Sequence, residues 1–561
     1  MPIKSRYQVD IPAVDLATYI FRSPTAALPT RKVFLDAASP EKYALTFSDF
    51  RLWSQRFAAG LRAQGFEPGD RVLLFSGNTI FFPAVLVGTI MAGGIFTGAN
   101  PTYVARELAY QLKDSGAKFL LCAENSIQTG IEAAKSIGMP SDRVFVFDNG
   151  YATFDARGQG VGDVRHWSAL LAGPQEGAAF AWQPLSRADE LNRTVVLNYS
   201  SGTTGVPKGV EITHRNYVAN THQTLSWARM DPLFEERTRR ARYLAFVPLY
   251  HAMGQTIFCA HAPLVGIPVY LMQKFDFLKM LEYIEKYRIT DLALVPPVVV
   301  ALAKHPAARN ADLSSIERVG CGAAPLSREM CAELEKLWPD GRVNVKQGWG
   351  MTEITCTATG WHPSATSTTS SVGELAPNAE AKIVPADGSS TAEVPRNARG
   401  ELWIRAPNVM KGYWGRPDAT AETLTPDGWL KTGDIAYADD DGFLWIVDRK
   451  KELIKVKGNQ VAPAELEAVL LEHEGLADAG VVGVTVRGEE VPRAYVVRGE
   501  KGRGLSEEEV QRWIEGRVSR TKRLVGGVKF VEAIPKNPSG KILRKSLRDQ
   551  AQAEVAREAK L

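Results

Sequence analysis

The sequence predicts an α/β fold, with a large N-terminal domain of doubly wound βα subdomains plus a small β-barrel, and a small α+β C-terminal domain. Three observations predict it. First, apolar β-branched runs alternate with stretches of helical apolar spacing as far as Lys346, the pattern of parallel sheets with helices on both faces. Second, from Ser371 the texture changes to short strands with turns, which reads as a small barrel or an antiparallel sheet. Third, Asp448-Arg449-Lys450-Lys451 is a polar, charged linker after which alternation starts afresh. Domains are therefore expected at 1–447 and 448–561, and 561 residues are too many for one core.

In order along the chain, Ser48 is expected to cap a helix carrying Phe50, Trp53, Phe57 and Leu61, ended by Gly65. Arg71–Phe75 reads as a strand, Thr79–Met91 as mostly helix, and Gly94–Thr97 as a strand. Lys118–Cys122 and Arg143–Phe147 are further strands around a helical stretch, and Gly150–Glu190 has no period and reads as a surface excursion. Thr194–Leu197 is a buried strand and His214–Arg229 a helix, so Tyr199–Val210 is expected to be a strand-to-helix loop. Phe275–Tyr287 is helical, Ile289–Val295 a strand, Pro296-Pro297 a sharp break, Ser327–Leu337 a capped helix and Val343–Lys346 a strand. Glu380–Val384, Gly400–Ile404, Trp429–Thr432 and Ile435–Tyr437 are short strands, and Asp440-Asp441-Gly442 is a hairpin turn before Phe443–Val447. In the second domain, Ala464–Glu472 is a helix, and Ala479–Val484, Arg493–Val497 and Val528–Val531 are strands. Ser506 and Glu509 form a capping box there.

Composition is that of an ordinary globular enzyme, 45% apolar and 23% charged. The net charge of +4 is too small and mixed to suggest nucleic acid, and the basic surplus falls after residue 448. Five cysteines without C-x-x-C spacing point to a reducing compartment, with neither a disulfide framework nor a zinc site. The uncharged run Val72–Ala105 is broken by Asn78, Pro83, Gly93, Gly94 and Asn100, so it reads as a core βαβ unit and not a transmembrane segment. The N-terminus lacks an apolar stretch of signal-peptide type. The final Ala559-Lys560-Leu561 has the small-basic-Leu form read by the peroxisomal import receptor, so a peroxisomal location is expected, and otherwise a cytoplasmic one.

The chemistry starts at Tyr199-Ser-Ser-Gly-Thr-Thr-Gly-Val-Pro-Lys-Gly-Val210. Its glycines let successive backbone N–H groups turn toward one anion, its hydroxyls add donors, and Lys208 adds charge. It is not a Walker loop, because Lys208 follows Pro207 and precedes Gly209. Four other stretches belong with it. Gly320-Cys-Gly-Ala-Ala-Pro-Leu326 offers small residues against which a flat ring could lie. Gln347-Gly-Trp-Gly-Met-Thr-Glu353 offers an aromatic, a hydroxyl for a phosphate and a carboxylate for a divalent cation. Asp434, in Thr432-Gly-Asp434, suits two ribose hydroxyls, and Pro535-Lys-Asn-Pro-Ser-Gly-Lys541 presents one lysine.

Together with Ala99-Asn-Pro-x-Tyr103, Pro248-Leu-Tyr-His251 and the block Asp448–Glu467, these stretches resemble the adenylate-forming (AMP-binding) superfamily, most closely its acyl-CoA synthetases of the 4-coumarate–CoA ligase-like branch. The resemblance runs from about Thr46 to Lys545. It implies that ATP and a carboxylic acid form acyl-AMP and pyrophosphate, and that coenzyme A then displaces AMP. The same first step serves luciferase-like and carrier-protein-loading enzymes, which are the alternative.

Carried over by the resemblance, Ser200, Ser201, Gly202, Thr203, Thr204, Gly205 and Lys208 would hold the β and γ phosphates. Gly348, Trp349, Gly350 and Met351 would face adenine with Ala323, Ala324 and Pro325, Trp349 standing where the family usually has Tyr. Thr352 would meet the α-phosphate, Glu353 Mg²⁺, and Asp434 with Arg449 the ribose. Lys541 would bridge the acid and the α-phosphate. Lys451 matches the family's hinge for a mobile C-terminal domain, whose second position would turn Lys455, Lys457 and Gly458 to the site. His251 would gate or orient substrate, and His251, Gly254, Gly320, Gly322 and Gly348 would line an acyl pocket for an aryl, arylalkanoic or medium-chain fatty acid. A monomer or homodimer is expected.

Overall fold

The structure is a computed structural model that describes residues 2–147, 151–154, 158–200, 206–456, 459–486, 489–537 and 540–558. Two large sheets form the N-terminal part. The first has eight strands, ordered Gly412–Tyr413, Lys208–Thr213, Thr194–Ser200, Ile95–Ala99, Arg71–Phe75, Phe119–Ala123, Val144–Phe147 and Arg165–His166. The second has seven, ordered Val345–Gln347, Arg318–Cys321, Asp291–Leu294, Tyr243–Ala245, Val269–Leu271, Lys32–Asp36 and Ala44–Thr46. Both are parallel through their centres. Helix Phe82–Met91 is buried on every side, as expected of a helix whose residues are all small or apolar. It lies against helix Phe47–Ala63 so closely that a Cβ on Gly88 would sit 2.6 Å from the Ser54 carbonyl oxygen. The uncharged run is thus strand, helix, strand, and no helix among the described residues is long and apolar enough to cross a membrane.

A five-stranded antiparallel sheet follows, ordered Ile3–Lys4, Glu380–Val384, Gly400–Arg405, Leu430–Ala438 and Leu444–Arg449. Its strands form an open row among the described residues, so the expected barrel is an antiparallel sheet. Apart from Trp429, the stretches expected as two strands, Trp429–Thr432 and Ile435–Tyr437, fall in one continuous strand, Leu430–Ala438, in which Gly433 takes a positive φ of 71° and a register shift between Ile435 and Ala436 absorbs the bend. The strand Leu444–Arg449 stays paired through Arg449, two residues into the stretch read as linker. From Ile454 onward the chain has its own apolar clusters, built on Leu476–Val486, Glu489–Arg498 and Val528–Phe530. Asp448 joins the two parts: its Oδ2 accepts from the Ala464 N–H (2.9 Å), in the first turn of helix Pro463–Leu471.

Other expectations need correction. The first long helix is capped by Thr46, not Ser48, through a reciprocal box with Asp49 (3.1 and 2.9 Å). Pro296-Pro297 opens a helix, Pro296–Lys304, because proline suits the first helical positions, where its missing N–H has no partner to lose. The 150–190 excursion is pinned inward by Trp167, fully buried against Phe57, Phe81 and Phe147. The described parts of the Tyr199–Val210 stretch belong to two antiparallel strands, Thr194–Ser200 and Lys208–Thr213, with Lys208 paired to Ser200. Val210 and Ile212 drive the second strand by burial, and only then does Thr213 cap helix His214–Ala228.

Candidate active site

One cavity of about 1090 Å³ lies where the carboxyl ends of the parallel strands meet the antiparallel sheet and the C-terminal part. Ser200, Lys208, His251, Ala323, Gly348, Trp349, Gly350, Met351, Thr352, Glu353, Arg449, Lys451 and Lys541 all line it. The sequence-predicted stretches, hundreds of residues apart, therefore converge.

The phosphate hairpin faces a short turn, Thr352–Ile354. Glu353 is buried, and its Oε1 accepts from the hydroxyls of Ser200 (3.1 Å) and Tyr413 (3.0 Å). Lys208 puts its ammonium 4.8 Å from the centre of the Tyr413 ring. Ser201, Gly202, Thr203, Thr204 and Gly205 lie outside the described residues, as do Lys457, Gly458 and Ala559–Leu561. The chemistry of the donor set fits a magnesium ion that arrives with a polyphosphate. Such ions take one or two carboxylates and fill their remaining positions with phosphate and water, and Glu353 is one carboxylate beside a lysine and a hydroxyl.

Asp434 is buried, and its Oδ2 accepts from the Trp349 indole N–H (2.8 Å), while Arg449 Nε stands 3.7 Å from Oδ1. Cross-strand pairing of Asp434 with Arg449 sets that approach. Burial raises the Asp434 carboxyl above its usual range, against the pull of Arg449 and the Trp349 hydrogen bond. Ala323 holds a positive φ of 74°, an uncommon conformation for alanine, at the lip where the Arg318–Cys321 strand ends; Ala324 and Pro325 continue that turn.

Lys541 comes from the C-terminal part. Its backbone exchanges two 2.9 Å hydrogen bonds with Asn537, and the loop is tied down by Lys536–Asp478 (2.6 Å) before it and Arg544–Glu467 after it. Gly540 has φ 81°, and a Cβ there would lie 3.1 Å from Pro297, so the loop tip presses on the N-terminal part. Burial, then Arg449, pulls the Lys541 pKa down to about 8, while Asp434 and Glu353 oppose that. Burial and the Lys541 charge push His251 down to about 4, so its imidazole is neutral at pH 7.

Lys455 is exposed on strand Ile454–Val456, with its backbone N–H bonded to Glu490, and it is not part of the cavity wall. The glycines of the acyl pocket divide. A Cβ on Gly320 would meet nothing within 4 Å, so that glycine opens space, and one on Gly322 would meet only the Gly348 carbonyl (3.6 Å). Gly254 is different: its Cβ would collide with the Pro248 carbonyl (2.3 Å), so its small size serves backbone packing. Sequence reasoning missed Tyr413 and Asn537. The Gly412-Tyr-Trp-Gly415 bracket and the Asn four residues before Lys541 were the available signals.

Comparison with known proteins agrees with this geometry. The model of the AMP-binding enzyme family matches residues 22–414, and that of the AMP-binding enzyme C-terminal domain matches 465–541. The phenylacetyl-CoA ligase of Aspergillus niger is 38% identical, over 97% of this chain and 98% of its own. The 4-coumarate–CoA ligase 2 of Nicotiana tabacum is 38% identical over 95% of this chain and 94% of its own. Among solved structures, the o-succinylbenzoate CoA synthetase of Bacillus subtilis, in complex with an acyl-adenylate intermediate, matches with a TM-score of 0.75. It is 25% identical and the match covers 95% of this chain and 98% of that one. With both of its domains matched in order and the motif residues gathered around one cavity, the chain belongs to the AMP-binding enzyme family.

Proposed function

We propose that the protein is an ATP-dependent acid–CoA ligase. A carboxylate oxygen attacks the α-phosphorus of ATP and the bond to pyrophosphate breaks. The CoA sulfur, its proton lost, then attacks the acyl carbon of the adenylate and the bond to AMP breaks. The acid is aryl, arylalkanoic or medium-chain, in keeping with the names of the relatives.

The observation that carries this reading is Lys541, delivered half-buried into a cavity whose other wall holds Arg449 and Glu353, with the Asp434 charge acting on it from behind. Two anions, the acid and the α-phosphate, repel as they meet. A preorganised ammonium between them stabilises charge that is greatest in the transition state. Lys208 and the hairpin hold the departing pyrophosphate, Thr352 the α-phosphate, and Asp434 the ribose, with Trp349 along adenine. A magnesium ion held by Glu353 would offset polyphosphate charge. Neutral His251 orients the acid beside Lys541 without adding a competing cation.

The C-terminal part beyond Lys451 turns about that residue between the two steps, withdrawing Lys541 and bringing Lys455, Lys457 and Gly458 to the thiol path, while Arg449 stays paired in the N-terminal sheet. The Ala559-Lys560-Leu561 tail directs the enzyme to the peroxisome; a fluorescent fusion that hides the Leu561 carboxylate should remain cytosolic. The activity test is direct. Purified protein with ATP, Mg²⁺, an acid and CoA should yield AMP, pyrophosphate and an acyl thioester; formation of ADP overturns the mechanism.

A further inference from the structure

The cavity continues below the nucleotide level, along the face of the seven-stranded sheet. Side chains two apart on a strand share a face. Register sets Asp291 beside Arg318 and places Gly320 between Ala293 and Lys346, and all five residues line the cavity. Gly320 has no neighbour within 4 Å of where its Cβ would be, which leaves a way down to Arg318. Arg318 lies four residues before Gly322, about 13 Å along the strand. The walls between are apolar, with Val247, Met253, Ile257, Phe258 and Val295 among them.

The floor is cationic. Arg318 donates through Nε to Asp291 (2.5 Å), and its two terminal nitrogens have no protein acceptor among the described residues. The other Asp291 oxygen is occupied by the Thr290 hydroxyl (2.6 Å). Lys346 donates only to the carbonyls of Pro363 (2.8 Å) and His362 (3.3 Å), with no carboxylate in ion-pair range among the described residues. His261, on the same wall, is bonded to Thr224 (3.3 Å), and burial holds it neutral at pH 7 with a pKa of about 4. Only Asp291 is in ion-pair contact with either cation among the described residues, Glu317 and Asp231 acting on Arg318 and Lys346 from farther off, and the free guanidinium edge is a planar fork suited to a further carboxylate. Lys346 is half-buried with only backbone carbonyls in contact, an unfavourable place for a cation that a ligand carboxylate would improve.

We propose that the substrate acid carries a second carboxylate, held at the cavity floor by Arg318 and Lys346, with a ring or medium-length chain spanning the apolar walls. This rests on the acid–CoA ligase reading of the same cavity. The separation of these strand positions along the sheet points to extended dicarboxylic acids as the substrate class.

The test uses the full-length enzyme with ATP, Mg²⁺ and two matched pairs of acids, suberate against octanoate and 4-carboxycinnamate against cinnamate, read by pyrophosphate release. The wild type should give the higher kcat/KM for the diacid of each pair. Arg318→Met and Lys346→Met should each lower the diacid-to-monoacid ratio about ten- to hundredfold, the loss of a charge-assisted hydrogen bond. Arg318→Lys keeps the cation and should retain part of the preference, which separates recognition from a folding defect. Equal kcat/KM within both pairs overturns the proposal, as does a monoacid preference, or faster turnover of 4-hydroxycinnamate than of 4-carboxycinnamate. Pyrophosphate release without diacid preference leaves the ligase reading intact; no acid-dependent release from any of the acids overturns both.

Discussion

Lys541 holds its proton in surroundings that oppose it. Burial and Arg449 favour the neutral amine, whereas Asp434 and Glu353 favour the ammonium, and the balance settles near pH 8. The protonated form is the one that bridges two anions, so kcat/KM for ATP, which reports the free enzyme, should fall as pH rises through about 8. An ordinary lysine would hold its proton to about 10.4. Lys541→Ala should lower adenylate formation about a hundred- to thousandfold and spare thioester formation from supplied acyl-AMP; equal loss in both steps would remove its assigned role. At this scale the sequence was informative wherever a residue sits in a dense motif, as Lys208, Glu353 and Lys541 do. It was silent on Tyr413, Arg318 and Lys346, whose meaning comes from partners or a cavity distant in sequence.

The phosphate element is a hairpin with a third strand beside it. Gly412–Tyr413 pairs with Lys208–Thr213, register sets Tyr413 against Val210, and this brings the phenol onto Glu353 and its ring under Lys208. Tyr413→Phe keeps the ring for Lys208 but removes one of the two hydroxyls on Glu353. A hydrogen bond to a charged group contributes about 1.5–3 kcal/mol. The variant should therefore raise the Mg²⁺ concentration needed for half-maximal pyrophosphate release about tenfold or more, and unchanged Mg²⁺ dependence would separate Glu353 from the metal. Periodic elements such as Arg71–Phe75 and Pro463–Leu471 were legible to within a residue or two. The errors came where one residue has two uses. Gly209 and Lys208 read as loop chemistry yet open a strand, and Pro296-Pro297 read as a break yet starts a helix.

At the scale of the molecule, the helix Pro296–Lys304 carries the contact between the two parts at both of its ends. At its start, Pro297 meets the Gly540 turn that presents Lys541. At its end, Lys304 donates to the carbonyls of Leu471 (2.8 Å) and Leu476 (2.6 Å), capping the C-terminus of helix Pro463–Leu471 in the small domain. Nine residues of helix span about 13 Å, so the two contacts fix both the position and the tilt of the small domain over the cavity. Neither contact is visible in the sequence, since Lys304 looks like any basic residue in a last helical turn. Its ammonium is half-buried, which costs free energy unless those carbonyls remain in place. Lys304→Met keeps the aliphatic stem and removes the cap. It should slow single-turnover pyrophosphate release about tenfold, the scale of one charged hydrogen bond, because fewer molecules hold Lys541 in the cavity. Thioester formation from supplied acyl-AMP uses the other domain position, so the same variant should leave that step unimpaired or make it faster. Equal slowing of both steps would show that Lys304 supports the fold at large and does not select the arrangement that makes the adenylate.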